Sequence, residues 1–121
     1  MHLELTLDVN DPETMIEFWA ALLDYESPSE PRFEVTERIY WSLVPRNADG
    51  PRLVIQRVPE PTVGKSRLHL DIHVSDIEAE ATRACTLGAL RIDHAPITEV
   101  GSTWIRMQDP EGNLFCLVAA S

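Results

Sequence analysis

Cysteine is scarce in this sequence: Cys85 and Cys116 are the only two, and they have no CxxC spacing. That excludes a disulfide-rich framework and leaves both expected as reduced thiols. Long apolar runs are missing too. None approaches the roughly 18 residues of a membrane span, and the opening MHLELTLDVN alternates instead of running basic then apolar as a signal peptide does. The chain therefore reads as soluble and cytoplasmic. Positive charge is the third shortage. Ten Lys and Arg stand against 20 Asp and Glu, a net charge of -10, and so acidic a surface repels phosphate backbones and anionic headgroups. Neither nucleic acid nor membrane is an expected partner. A small ligand steered by the overall field would be cationic or neutral.

What is present is an ordinary globular composition, 44% hydrophobic and 25% charged over 121 residues. A chain of this length buries roughly two-thirds of its unfolded surface. It holds a core without staples, so a metal, if used, would serve function and not folding.

Residues 2–9 alternate, with Leu3, Leu5, Leu7 and Val9 on one side and His2, Glu4, Thr6 and Asp8 on the other, which predicts a half-buried strand. Asp11 then caps, and Pro12 starts, a helix whose apolar residues run from Met15 to Leu23. The proline-bearing stretch 27–31 reads as a loop, and strand-like runs follow at 33–36, 39–44 and 53–58. After a polar break containing Pro59, Pro61 and Gly64, the pattern starts again. An alternating strand over 67–74 leads to a helix capped by a Ser75/Glu78 box, with Ile77, Ala81, Ala84, Cys85 and Leu87 on its apolar side and Gly88 as its stop. Strand-like runs at 90–94, 103–107 and 114–119 complete it.

Each half is thus βαβββ. Leu5-Thr6-Leu7-Asp8-Val9-Asn10-Asp11 aligns with Leu70-Asp71-Ile72-His73-Val74-Ser75-Asp76 in hydrophobic phase. The expected fold class is α+β: two tandem modules, about 1–59 and 65–121 with a linker near 60–64, in one domain spanning 1–121. They would form a curved mixed sheet around a central cleft, with the helices on the outer face.

If the helices cover the apolar sides of the strands, the other sides face the cleft. That assigns Glu4, Thr6 and Asp8 to it from the first strand, and His69, Asp71 and His73 from the fifth. Gln56 shares a face with Val54 and Val58, and Cys116 with Leu114 and Val118. Trp41 and Trp104 begin corresponding runs and would floor a pocket.

The stretches LDVNDPETMIEFWAALL, VIQRVPEP, RLHLDIHVSDIEAEATRACTLGA and WIRMQDPEGNLFCLV together resemble the vicinal oxygen chelate superfamily, which contains glyoxalase I, bleomycin-resistance proteins and extradiol dioxygenases. The closing DPEGNLFC motif and the QRVPEP run look most like the small glyoxalase-like domains common in actinobacteria. The resemblance covers nearly the whole chain. In the metal-dependent members, ligands come from the first, fourth, fifth and eighth strands; by motif these positions fall on Glu4, Gln56, His69 and Cys116. Family sets are typically His or Gln, Glu, His and Glu, so His69 matches and Cys116 replaces a carboxylate. Such a set suits zinc better than magnesium or calcium, which take oxygen only. An extradiol dioxygenase needs two histidines and one carboxylate on iron; the mapped positions supply one histidine, so that reaction is not expected.

The leading expectation is a small-molecule-binding glyoxalase-like protein with no metal cofactor, its ligand pocket lined by Glu4, Gln56, His69, Asp71, His73, Cys116, Trp41 and Trp104. One alternative is a lyase or isomerase using a divalent metal such as zinc, with His69 and Asp71 as the candidate catalytic residues. Another is a non-catalytic dimerisation or regulatory module. Members of the family often pair, so a homodimer is among the expected states.

Overall fold

The computed structural model describes residues 1–28 and 39–120. By internal contacts the chain forms two compact units, Met1–Pro61 and Thr62–Ser121.

The first unit opens with β1 (Glu4–Val9) and α1 (Pro12–Leu23), continues through the short β2 (Tyr25–Glu26), and ends with β3 (Tyr40–Pro45) and β4 (Arg52–Arg57). Asp11 caps the helix, accepting from the Thr14 amide at 3.3 Å and its hydroxyl at 2.7 Å. The sheet order is β1-β4-β3-β2, with β1 parallel to β4 and β3 antiparallel to it. Val9, Leu53, Ile55, Trp41 and Leu43 share one face of this sheet, and with Met15, Ile16, Phe18, Trp19 and Leu22 of α1 they form the unit's core. Glu4, Thr6 and Asp8 are exposed on the other face, as the alternation predicts. The strand expected at 33–36 lies outside the described residues.

The second unit repeats the plan with β5 (Leu70–Val74), α2 (Ile77–Leu87), β6 (Leu90–Arg91), β7 (Ile97–Glu99), β8 (Ser102–Gln108) and β9 (Leu114–Ala119). Again the first and last strands pair in parallel, β5 on β9, and β8 lies antiparallel to β9. The repeat extends to single bonds. Just past each last strand, the Val58 amide donates to the Val9 carbonyl and the Ala120 amide to the Val74 carbonyl, both at 2.8 Å.

Four local expectations are corrected. The strand predicted over 67–74 begins only at Leu70. The cap of α2 is Asp76, which accepts from the Ala79 amide at 3.1 Å, and not the Ser75/Glu78 box; Glu78 instead pairs with Arg91 at 2.9 Å. Cys85 is exposed, because it falls about 80° around the helix from Ile77 at the 100° per residue of an α-helix, off the stripe of Ile77, Ala81 and Ala84. The run at 90–94 is broken: β6 and β7 are two pieces laid along β8. Between them the Asp93 carboxylate, not a ladder carbonyl, accepts the Arg106 amide at 2.9 Å, and Pro96 has no N–H to offer.

Asp109 closes the unit. Only 2% exposed, its carboxylate accepts the amides of Glu111 and Asn113, each at 2.9 Å, and the Asn113 side-chain amide at 2.9 and 3.1 Å. This turn sets where β9 begins, and hence the register of Cys116. Among the described residues no helix is long and apolar enough to cross a membrane.

Candidate functional site

The sheet of the second unit carries α2 on one face, over Phe115, Leu117, Ile105 and Met107, all fully buried. Register decides what shares the other face. Asp71 lies opposite Cys116 and His73 opposite Val118 across β5 and β9; Cys116 lies opposite Arg106 and Val118 opposite Trp104 across β9 and β8. The side chains therefore stand in rows. One row reads carboxylate, thiol, guanidinium; the next reads imidazole, isopropyl, indole. With strands about 4.8 Å apart, Asp71 and Arg106 are anchored roughly 10 Å from each other. His69, two residues before Asp71, is on the same side. Together with Lys65 and Ser102, these residues line a pocket of about 430 Å³, within the usual range for small-molecule sites.

His69, Asp71 and Cys116 form a close group whose donor atoms all lie within 4.8 Å of one another. His69 Nδ1 is 3.1 Å from Asp71 Oδ1. Burial pushes the Cys116 thiol up to about 11, and the Asp71 carboxylate reinforces this by its negative charge and by accepting the thiol proton's hydrogen bond; the Arg106 charge opposes it. At neutral pH the group is a thiol and not a nucleophilic thiolate.

Arg106 is held from behind. Its Nε donates to Asp93 Oδ2 at 3.0 Å and its Nη2 to Oδ1 at 2.8 Å, and hydrogen bonding from Arg106 holds the Asp93 carboxyl below its ordinary value. Asp93 is largely buried, whereas the guanidinium is 46% exposed. Among the described residues, Arg106 Nη1 and the Lys65 ammonium have no partner. The residues lining the pocket thus include two cations, Lys65 and Arg106, and one carboxylate, Asp71, with Asp93 behind Arg106 balancing the local charge, so the pocket does not share the excess of acid that the net charge of -10 records.

The expected site residues divide between the units. His69, Asp71, His73, Cys116 and Trp104 come together on one face of the second. Glu4 and Gln56 belong to the first. There Glu4 lies 3.7 Å from His2 and 3.9 Å from Arg52, and Gln56 donates to the Tyr40 hydroxyl at 3.3 Å. Trp41 does not line this pocket. It is 3% exposed on the helix-covered face, registered with Ile55, and the Arg57 guanidinium lies 5.8 Å from its ring centroid.

The repeat also allows the two units to be compared position by position. Thr6 corresponds to Asp71, and Thr6 registers with Val54 as Asp71 registers with Cys116. Val54, which has no donor, therefore stands at the position equivalent to Cys116; Gln56 is two residues further on, equivalent to Val118.

In chemistry, imidazole nitrogen, carboxylate oxygen and thiolate sulfur are all zinc donors, so His69, Asp71 and Cys116 fit a zinc ion by type. Binding would require Cys116 to release its proton and the His69–Asp71 contact to open.

Sequence reasoning missed Lys65, Ser102 and Arg106. Strand alternation through Trp104 would have reached Ser102 and Arg106; nothing local links Asp93 to Arg106.

Two βαβββ modules, each a mixed sheet under one helix, define the vicinal oxygen chelate class. The chain belongs to the glyoxalase-like domain family, whose model matches residues 4–118. Solved structures share the fold at low identity. A glyoxalase/bleomycin resistance protein/dioxygenase family enzyme from Burkholderia phytofirmans PsJN matches with a TM-score of 0.77 at 16% identity, over 98% of this chain and 97% of that one. The fosfomycin resistance protein FosX from Listeria monocytogenes matches at 0.76 and 15%, over 100% and 91%. TioX from Micromonospora sp. ML1 matches at 0.68 and 18%, over 98% of each chain. Among curated proteins no sequence matches this chain significantly.

Proposed function

We propose that this chain is a small-molecule-binding protein whose ligand site is the pocket on the open face of the second unit, working without a resident metal. The observation that carries the reading is the pocket itself: about 430 Å³ of open space, floored by a rigid sheet and lined by apolar groups among a few convergent polar ones. A module used only as a scaffold has no need of such a space. The site needs no ion to be electrostatically complete, since Asp71 already accepts from His69 and from the protonated Cys116 thiol.

Binding to the native state raises the melting temperature. A thermal-shift screen over anionic, neutral and cationic aromatic compounds is expected to find ligands whose effect Trp104→Ala abolishes. Silence across all three classes would sink the reading.

The His69, Asp71 and Cys116 group supports a second reading, a metal-dependent lyase or isomerase. Zinc held there would act as a Lewis acid toward a carbonyl, while His69 and Asp71 hold or move a proton beside it. Metal analysis of protein purified after growth with zinc separates the two readings. Stoichiometric zinc lost in His69→Ala favours the second, and trace metal in both proteins favours the first.

A further inference from the structure

We infer that the pocket of the second unit takes a small organic anion with a flat apolar body. The inference rests on that pocket being a ligand site. The anionic group would meet the Lys65 ammonium and the Nη1 edge of Arg106, and the body would lie against Trp104 and Val118.

Three observations lead there. First, the cations are available. Asp93 binds the Arg106 guanidinium through Nε and Nη2, which fixes its plane and leaves a donor edge unused. A planar, oriented guanidinium is well suited to carboxylate or phosphonate oxygens. Lys65 is exposed beside the pocket and forms no ion pair among the described residues.

Second, the one carboxylate of the lining is occupied. Asp71 accepts from His69 Nδ1 at 3.1 Å, and Cys116 stands between Asp71 and Arg106 in the same row. The repulsion that Asp71 offers an anion is therefore weakened by its own partner and by its distance from the guanidinium. A cationic ligand would share Asp71 with His69 and Cys116 while facing the Lys65 ammonium and the Nη1 edge of Arg106.

Third, an apolar part of the lining lies next to the charge. Trp104 is two residues before Arg106 on the same face of β8, and Val118 pairs directly with Trp104. An acidic group on Arg106 thus places an attached ring within reach of the indole. The acidic surface elsewhere leaves this local preference intact, since screening limits exposed charges to about 8–10 Å at ordinary ionic strength.

The test compares three naphthalenes of one shape at pH 7: 2-naphthoate, 2-naphthol and 2-naphthylmethylamine. Isothermal titration is expected to show 2-naphthoate binding at least ten-fold more tightly than either of the others. Its affinity should fall about ten-fold in Lys65→Met and in Arg106→Gln, and should weaken as sodium chloride is raised. Lys65 is exposed, so Lys65→Met remains an interpretable variant should Arg106→Gln disturb the Asp93 region. Equal or tighter binding of the amine or the naphthol overturns the inference yet leaves a small-molecule site standing. So does naphthoate binding that is indifferent to Lys65→Met and to salt. No binding of any of the three at millimolar concentration overturns the inference together with the pocket as a ligand site.

Discussion

Asp71 and Cys116 face each other across β5 and β9, and the carboxylate raises the thiol that burial has already raised. Thiolate at Cys116 should therefore be scarce at neutrality, and its alkylation rate should climb with pH toward a midpoint near 11. Asp71→Asn removes the negative charge, so the midpoint should move down and alkylation at pH 8 should speed up. Peptide mass mapping after iodoacetamide pulses separates Cys116 from the exposed Cys85. An unchanged profile in Asp71→Asn would sever the two residues.

The same shift has a consequence for stability. The folded thiol titrates near 11 against an ordinary 9.0, so between those values the unfolded chain binds fewer protons than the folded one. The contribution of the thiol is fully present below pH 9 and is lost as pH rises through 11. Urea unfolding of the native chain should lose stability more steeply over that window than unfolding of Cys116→Ala.

Trp41 and Trp104 should separate by assay. Trp41→Ala removes an indole that is 3% exposed in the core of the first unit and should cost about 3–5 kcal/mol of stability. Trp104→Ala opens the pocket wall on the open face and should abolish ligand-induced stabilisation at a smaller cost to folding. Denaturation curves with and without ligand distinguish the two; equal losses of stability would contradict the placement of the indoles.

The turn between β8 and β9 is predicted to be a point of weakness. Asp109→Ala leaves the Glu111 and Asn113 amides without the carboxylate they donate to, at an expected cost of roughly 2–4 kcal/mol from charge-assisted hydrogen bonds lost in a buried place. A midpoint shift in urea smaller than that corresponding to about 1 kcal/mol would count against this role.

At the β7–β8 hairpin the sequence works against its own turn. Glu99 registers with Ser102, so Val100 and Gly101 form a two-residue loop, and both have positive φ, 49° and 75°. Glycine adopts this readily; a β-branched residue does not. Val100 is fully exposed, so its side chain offers no packing in return. Val100→Asn is expected to raise stability by about 1 kcal/mol, read as a higher melting temperature, and a lower one would refute the strain.

Much of the fold is legible in local pattern. The alternation of ELTLDV and LDIHV, the Asp11-Pro12 start and the Gly88 stop are each decided by a residue and its near neighbours, and the βαβββ order follows from them. The face of β5 is legible for the same reason, which groups His69, Asp71 and His73; β9 is apolar on both faces, and Cys116 joins them in the sequence only through the family resemblance.

Alternation could not tell which face of β3 the helix covers, because β3 offers an aromatic residue to each: Tyr40 is exposed and Trp41 buried. Nor could it show that Val54 and not Gln56 is the counterpart of Cys116, since that depends on the register between β1 and β4. The charge of the pocket was hidden most deeply. Net charge sums over every residue, but a ligand meets only those that long-range pairing brings to one face. Asp93 is thirteen residues from Arg106 in the chain, and only the path of the chain between β6 and β7 brings its carboxylate behind that guanidinium. Composition made the chain acidic; tertiary structure decided that this pocket presents Lys65 and Arg106.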